Sequence, residues 1–159
     1  MKNVLLAYYS HAGHTARIAR CIAETIEAEG HRCDVISMME AVREGVNWDK
    51  YDIVIVGSPI VYGVYNRIVW EFASAFKDRL ENLVKNSPWK PRDLKCIAGK
   101  VDYPNWNWFE TLMIQIIMKI TDGPTNPNTV ADFTDYEDVR RYARHCLTLD
   151  EAQGFAKKA

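Results

Sequence analysis

The sequence lacks the features that announce several classes of function. Its four cysteines, Cys21, Cys33, Cys96 and Cys146, form no CxxC pair, which argues against a zinc knuckle or a redox dithiol. Thiols scattered in this way point to a reducing, cytoplasmic location. Neither sign of charge is in excess, with 20 basic against 21 acidic side chains, so no net field directs the chain to nucleic acid or to an anionic membrane. No apolar run reaches the roughly 20 residues that a membrane span requires. The opening Met-Lys-Asn runs straight into a short apolar stretch and leaves no room for a signal h-region. Neither GxGxxG nor GxxxxGK[ST] occurs, which removes the dinucleotide and nucleoside triphosphate fingerprints. Internal repeats and low-complexity tracts are also missing.

What is present suits one domain over residues 1–159, since 159 residues that are 48% hydrophobic can fill one core. Val4 to Tyr9 is a continuous apolar run bounded by Ser10 and Gly13, the pattern of a strand buried on both faces of a parallel sheet. From Thr15 to Glu29, Ile18, Ala19, Ile22, Ala23 and Ile26 recur at helical spacing up to Gly30, which can end the helix. Arg32 to Ser37 reads as a more polar edge strand, and Tyr51 to Gly57 as a second buried strand rich in β-branched residues. Tyr65, Ile68, Val69, Phe72, Phe76, Leu80 and Leu83 predict a crossover helix to about Val84. Asn86 to Pro91 is a linker, Leu94 to Val101 a further strand, and Asp122 to Asn128 a loop. Thr134 and Glu137 match a capping box for a last helix, Asp135 to about Leu149. The alternation predicts an α/β fold, a doubly wound parallel sheet with helices on both faces.

In such sheets ligands lie beyond the C-terminal strand ends, where the strand order reverses, which singles out two loops. Ser10, His11, Ala12, Gly13, His14 and Thr15 join a strand to a helix, so backbone N–H groups and hydroxyls can converge on an anion at the positive helix end. With no lysine in the turn, a single phosphomonoester is the expected guest, set against an ordinary polar turn. His11 and His14 lack an identifiable third ligand, so no metal is expected. The second loop, Ser58-Pro59-Ile60-Val61-Tyr62-Gly63 and on to Asn66, is apolar and aromatic where a planar ring would be covered, set against tyrosines that merely cap the core. Trp106 to Ile120 is apolar on nearly every side. Its uses stay open between a hydrophobic ligand wall, a shallow seat in a membrane interface, and burial against the sheet or a second copy in a homo-oligomer.

The S-x-x-G-x-T turn, YDIVIVGSPIVYGVYN, and above all Tyr103-Pro104, Met118-Lys119 and Gly123-Pro124-Thr125 within CIAGKVDYPNWNWFETLMIQIIMKITDGPTNPN resemble the flavodoxin-like, quinone-dependent protoporphyrinogen IX dehydrogenases. The turn is common to flavodoxins; the later segments are more specific, and together they span most of the chain. The resemblance implies an oxidoreductase of haem (porphyrin) biosynthesis in which bound FMN takes electrons from a porphyrinogen and passes them to a membrane quinone. Ser10 to Thr15 would hold the phosphate and Ser58 to Gly63 would flank the ring. It also implies a sheet in the order 2-1-3-4-5, yet Leu83 to Trp89 leaves no room for the fourth strand and its loop. Either the chain is shortened here or its sheet closes with four strands, one strand short, with Thr129 to Phe133 a candidate to extend one edge. Val61, Asp102, Asn105 and Asn107 stand where the family is rich in arginine. Two alternatives accompany the enzyme: a flavodoxin-type electron carrier, and an interaction domain that has lost its flavin.

Overall fold

The computed structural model describes residues 1–59, 66–69, 71–72, 93–105, 108–120 and 124–149. They fall in two compact units, Met1–Lys95 with Tyr136–Ala159, and Cys96–Asp135.

The first unit is built on a parallel sheet. β1 (Asn3–Tyr8) pairs on one side with β2 (Arg32–Ser37) and on the other with β3 (Ile53–Gly57), giving the order β2-β1-β3. Val4, Leu5, Leu6 and Ala7 of the central strand are all buried, as the continuous apolar run requires. α1 (His14–Ala28) buries Ala19, Ile22, Ala23 and Ile26. Gly30 ends it at φ +81°, with the N–H of Gly30 on the Glu27 carbonyl and that of His31 on Ile26. These are the paired bonds of a Schellman close, in which glycine avoids the left-handed penalty of a Cβ.

β2 lies to one side of β1 and β3 to the other. Right-handed crossovers therefore place α1 and the next helix, α2 (Met38–Glu44), on opposite faces of the sheet. Ala7, Met38, Ala41 and Phe72 form a buried cluster, with Trp48 edge-on to Phe72 at 5.7 Å between ring centres. The last helix, which we label α4 (Tyr136–Thr148), buries Val139, Ala143, Cys146 and Leu147 and packs on α1. It starts one residue later than expected, so Asp135 takes the flanking position, and the Thr134 hydroxyl donates to the Ala98 carbonyl.

α2 and the short 3-10 turn Trp48–Lys50 were not among the expected elements. The expected crossover helix is described at 67–69 and 71–72, where the backbone is helical. The rest of it, the Asn86 to Pro91 linker and the Leu83 to Trp89 junction lie outside the described residues.

The second unit holds a two-stranded antiparallel sheet, β4 (Lys100–Asp102) with β5 (Val130–Asp132), Val101 opposite Ala131. This corrects the expected strand Leu94 to Val101 and the expected extension of the parallel sheet. Leu94, Cys96 and Ala98 are exposed, and only Val101 of that run is buried, so the stretch before Lys100 has no packed face to hold it in a ladder. Among the described residues the parallel sheet has three strands. A 3-10 turn, Tyr103–Asn105, leads on to α3 (Trp108–Ile120). Among the described residues no helix is long and apolar enough to cross a membrane.

Candidate functional site

The strand order reverses between β1 and β3, so the crevice beyond their C-terminal ends is the switch point of the sheet. β1 ends at Tyr8 and α1 begins at His14, and the chain reverses between them through Gly13 at φ +80°. A Cβ there would meet nothing within 4 Å; the demand for glycine comes from backbone conformation, not from space. The first bond of α1 runs from the Arg17 N–H to the Gly13 carbonyl at 3.1 Å. N–H groups of a helix's first turn have no acceptor within the helix. Among the described residues no side chain caps that end, and the first turn carries no acidic residue. The positive end of the helix is left without a counter-charge from its own sequence.

Ser10 stands at the mouth of this turn with its hydroxyl oxygen buried and, among the described residues, without a hydrogen-bond partner. A buried unpaired hydroxyl costs about 1–3 kcal/mol, and an anionic oxygen would remove that cost. His11, Ala12 and Gly13 are exposed, while His14 and Thr15 are half-buried. The donor set is thus a hydroxyl, backbone N–H groups and a helix end, which together suit a phosphate monoester.

The second wall starts at Gly57, which stands opposite Tyr8 in the register. A Cβ on Gly57 would lie 3.8 Å from both Thr15 Cγ2 and Tyr8 Cβ, so Thr15 sits against the end of β3. The Ser58 hydroxyl donates to the Pro59 carbonyl at 3.1 Å. Ser58 and Pro59 follow directly on Gly57, the residue that Thr15 of the turn adjoins. Ile60, Val61, Tyr62 and Gly63 lie outside the described residues.

Two residues at the site escaped the sequence reading. The Tyr9 N–H donates to the Gly57 carbonyl at 2.9 Å, and the Tyr9 hydroxyl accepts from Asn66 Nδ2 at 3.1 Å. Asn66 Oδ1 in turn accepts from the Ile68 N–H at 3.1 Å, an N-cap bond. The signal was available in the sequence, because asparagine two residues before Ile68, at the head of the Ile68, Val69, Phe72 periodicity, is a helix-start pattern.

Elsewhere in the first unit, a surface cavity of about 300 Å³ is lined by Asp93, Lys95, Asp138, Arg141, Tyr142 and His145, among others. Its charges are matched internally: Lys95 and Arg141 both pair with Asp138, and His145 lies 3.2 Å from Asp93. The hydrogen bond from Lys95, followed by that from Arg141, holds the Asp138 carboxyl below its usual range. A cavity so neutralised offers little to a charged ligand. It shares no residue with the Ser10 to Thr15 turn.

The sequence resembles those of several known proteins. A protoporphyrinogen IX dehydrogenase [quinone] of Escherichia coli (strain K12) is 27% identical over 179 residues, covering 95% of this chain and 97% of the relative. A protein of the same name from Leishmania major is 28% identical over 176 residues, 91% of this chain and 74% of the relative. An NAD(P)H dehydrogenase (quinone) of Gluconacetobacter diazotrophicus is 31% identical over 81 residues, 40% of this chain and 41% of the relative. Among solved structures, oxidised Flavodoxin 2 from Bacillus cereus aligns with a TM-score of 0.45 at 20% identity, over 95% of this chain and 99% of that one. Residues 5–84 and 77–128 match the family model for the flavodoxin domain, and the chain belongs to that family.

Proposed function

We propose that this chain is an FMN-dependent oxidoreductase that takes electrons from a porphyrinogen and passes them to a quinone. One observation carries the reaction class: the match to the E. coli dehydrogenase runs through 95% of this chain and 97% of that protein, so substrate-bearing and cofactor-bearing segments are both included. The buried Ser10 hydroxyl beside an uncapped helix end supports the cofactor. Ser10, His11, Ala12, Gly13, His14 and Thr15 would hold the FMN phosphate, and Ser58 to Gly63 would flank the ring. Bound flavin supplies the redox chemistry, and the protein supplies position and electrostatics. FMN is favoured over a dinucleotide because the turn offers one anion site and no GxGxxG. Trp108, Leu112, Ile116 and Ile120 recur at helical spacing on α3 and are exposed, which supports a peripheral contact with the membrane interface where a lipid quinone is met.

The test is the visible absorption of the purified protein, followed by oxidation of protoporphyrinogen IX with a soluble quinone. Ser10→Ala combined with Thr15→Ala should weaken FMN by about 1–3 kcal/mol, from lost hydrogen bonds to a charged group. Colourless protein that neither shifts the absorption nor quenches the fluorescence of added FMN would refute the cofactor. Yellow protein that leaves porphyrinogen untouched in the presence of quinone would refute the reaction.

A further inference from the structure

α3 turns an apolar face to solvent. Trp108, Leu112, Ile116 and Ile120 recur every four residues, with Phe109 and Met113 in the row beside them, and all six are exposed. The two ends, Trp108 and Ile120, are 78% and 77% exposed, so the face is open along its length. The opposite side is the one that packs: Thr111, Ile114, Gln115 and Met118 are half-buried, and Gln115 Nε2 donates to the Thr125 carbonyl at 2.7 Å. Contiguous apolar surface left in water marks a contact, and charge and size narrow the partner. The second unit, Cys96–Asp135, carries two lysines against five acidic residues, so an anionic surface is repelled. A helix of 13 residues offers by itself a strip about 20 Å long and 10 Å wide, well short of the roughly 800 Å² per partner that a stable protein interface buries. A lipid bilayer makes no such demand, because one helix face can enter its apolar phase without a matching surface. The helix is too short to span it. Tryptophan at one end suits the headgroup level, and the exposed Lys119 at the margin can return its ammonium to water along an apolar stem.

We infer that α3 is an interfacial helix that lies flat in a zwitterionic phospholipid surface, its exposed face sunk among the acyl chains, and that this insertion holds the protein there without help from anionic lipid. Interfacial helices that lean on anionic lipid line their polar face with lysine and arginine, whereas α3 has Lys119 alone. The inference deepens the peripheral contact proposed above and rests on it. It does not rest on the flavin, whose proposed contacts, Ser10 to Thr15 and Ser58 to Gly63, all belong to the first unit.

Flotation of the full chain with phosphatidylcholine vesicles tests this. Wild type should float with them, gain nothing from added phosphatidylserine, and stay bound at high salt, which screens charge and not apolar burial. Leu112→Glu with Ile116→Glu puts two carboxylates in the middle of the face at positions already exposed. The pair should cut partitioning by at least about tenfold, the loss of two buried apolar side chains, while thermal melting and FMN titration stay as in wild type. Lys119→Gln should leave partitioning unchanged. Should the glutamate pair lower the thermal midpoint, Trp108→Ser at the open end of the face carries the test, with partitioning about three- to tenfold weaker. Wild type that does not float, or a glutamate pair that floats as well as wild type, would overturn the inference. Flotation that needs phosphatidylserine and is reversed by salt would overturn it in favour of a charged contact. A wild-type dimer that ignores vesicles and that the glutamate pair turns into monomers would overturn it in favour of a second copy on the face. The flavin reading fails separately: protein that floats and binds no FMN keeps the helix assignment and sinks the cofactor, and a flavoprotein that does not float does the reverse.

Discussion

Lys2 and Leu147 lie 145 positions apart and meet in one bond, the Lys2 ammonium donating to the Leu147 carbonyl at 2.6 Å. Leu147 is in the last turn of α4, where backbone carbonyls have no partner within the helix and the dipole favours a cation. The bond thus joins the segment before β1 to the far end of the chain's last described helix. Lys2→Met keeps the apolar stem and removes the donor. It should lower the stability of the first unit by about 1–2 kcal/mol. A urea titration followed by circular dichroism checks this, and an unchanged midpoint would show that water serves the carbonyl equally well.

Tyr103 should play the corresponding part in the second unit. Its ring is 2% exposed, its hydroxyl donates to the Pro124 carbonyl at 2.8 Å, and Gln115 Nε2 donates to the Thr125 carbonyl at 2.7 Å. The loop after α3 is thus pinned at consecutive residues by the 3-10 turn and by the helix. Tyr103→Phe should cost about 0.5–1.5 kcal/mol, and joining it to Gln115→Ala should cost more than either alone. Limited proteolysis within 124–129 is the direct measure. Cleavage no faster in the double variant than in wild type would mean that the loop is held by other contacts.

How far these features were legible in the sequence depended on how local their causes are. β2 was expected at Arg32 to Ser37 and is found there, because Gly30 and the change from helical to extended patterning are both written in adjacent residues. α2 was missed, although Ser37 and Glu40 carry the spacing of a helix start. The Ser37 hydroxyl accepts from the Glu40 N–H at 3.2 Å, and Gly45 follows at φ +77°. With seven residues, the helix is too short for periodicity to show. β4 was drawn too long because Leu94 to Val101 is apolar enough for a strand, whereas its pairing is decided by Val130–Asp132, far along the chain. The turn from β1 to α1 was legible down to its glycine, Gly13. The Tyr9–Asn66 bond was not, since it spans 57 positions and no local pattern encodes it.

Two thiols shielded by the fold, the half-buried Cys33 and the buried Cys146, should contribute to the response to alkali. Burial, chiefly, pushes the Cys33 thiol from its ordinary 9.0 up to about 12, with Glu27 and Asp34 adding to the effect. Burial also pushes Cys146 up to about 11. In the unfolded chain both would ionise at their ordinary value, so above it the folded protein holds more protons than the unfolded one. Stability from these groups is therefore complete below pH 9.0 and is lost as pH rises toward about 11 for Cys146 and about 12 for Cys33. The urea midpoint should be level from about pH 7 to 8 and fall above 9, and Cys33→Ala should make the fall shallower. A slope identical in wild type and variant would assign the loss to other groups.

The last prediction concerns what the chain omits relative to its family. The family match comes in two segments, 5–84 and 77–128, that overlap at residues 77–84, as happens when a chain skips part of the family's pattern. The alignment to the E. coli relative spans 179 residues, against 159 in this chain, so that relative carries residues with no counterpart here. The sequence puts the shortfall between Leu83 and Trp89, where the resemblance calls for a fourth strand and its loop. A planar ring at the switch point needs a wall from each of two neighbouring loops; the proposed site draws one from the loop that begins at Ser58 and ends at Asn66, and the shortfall falls on the other. The proposed phosphate end, Ser10 to Thr15, lies outside that shortfall. FMN should therefore bind mainly through its phosphate, and riboflavin should bind roughly 100-fold more weakly, the worth of about two hydrogen bonds to a charged group. Grafting the E. coli relative's additional residues between Leu83 and Trp89 should tighten FMN and riboflavin by a common factor, because the graft acts on the ring they share. Porphyrinogen turnover with a soluble quinone should rise with it. If the unmodified chain binds riboflavin as tightly as FMN and turns over efficiently, the residues missing relative to the E. coli protein are dispensable, and the Ser10 to Thr15 turn does not dominate binding.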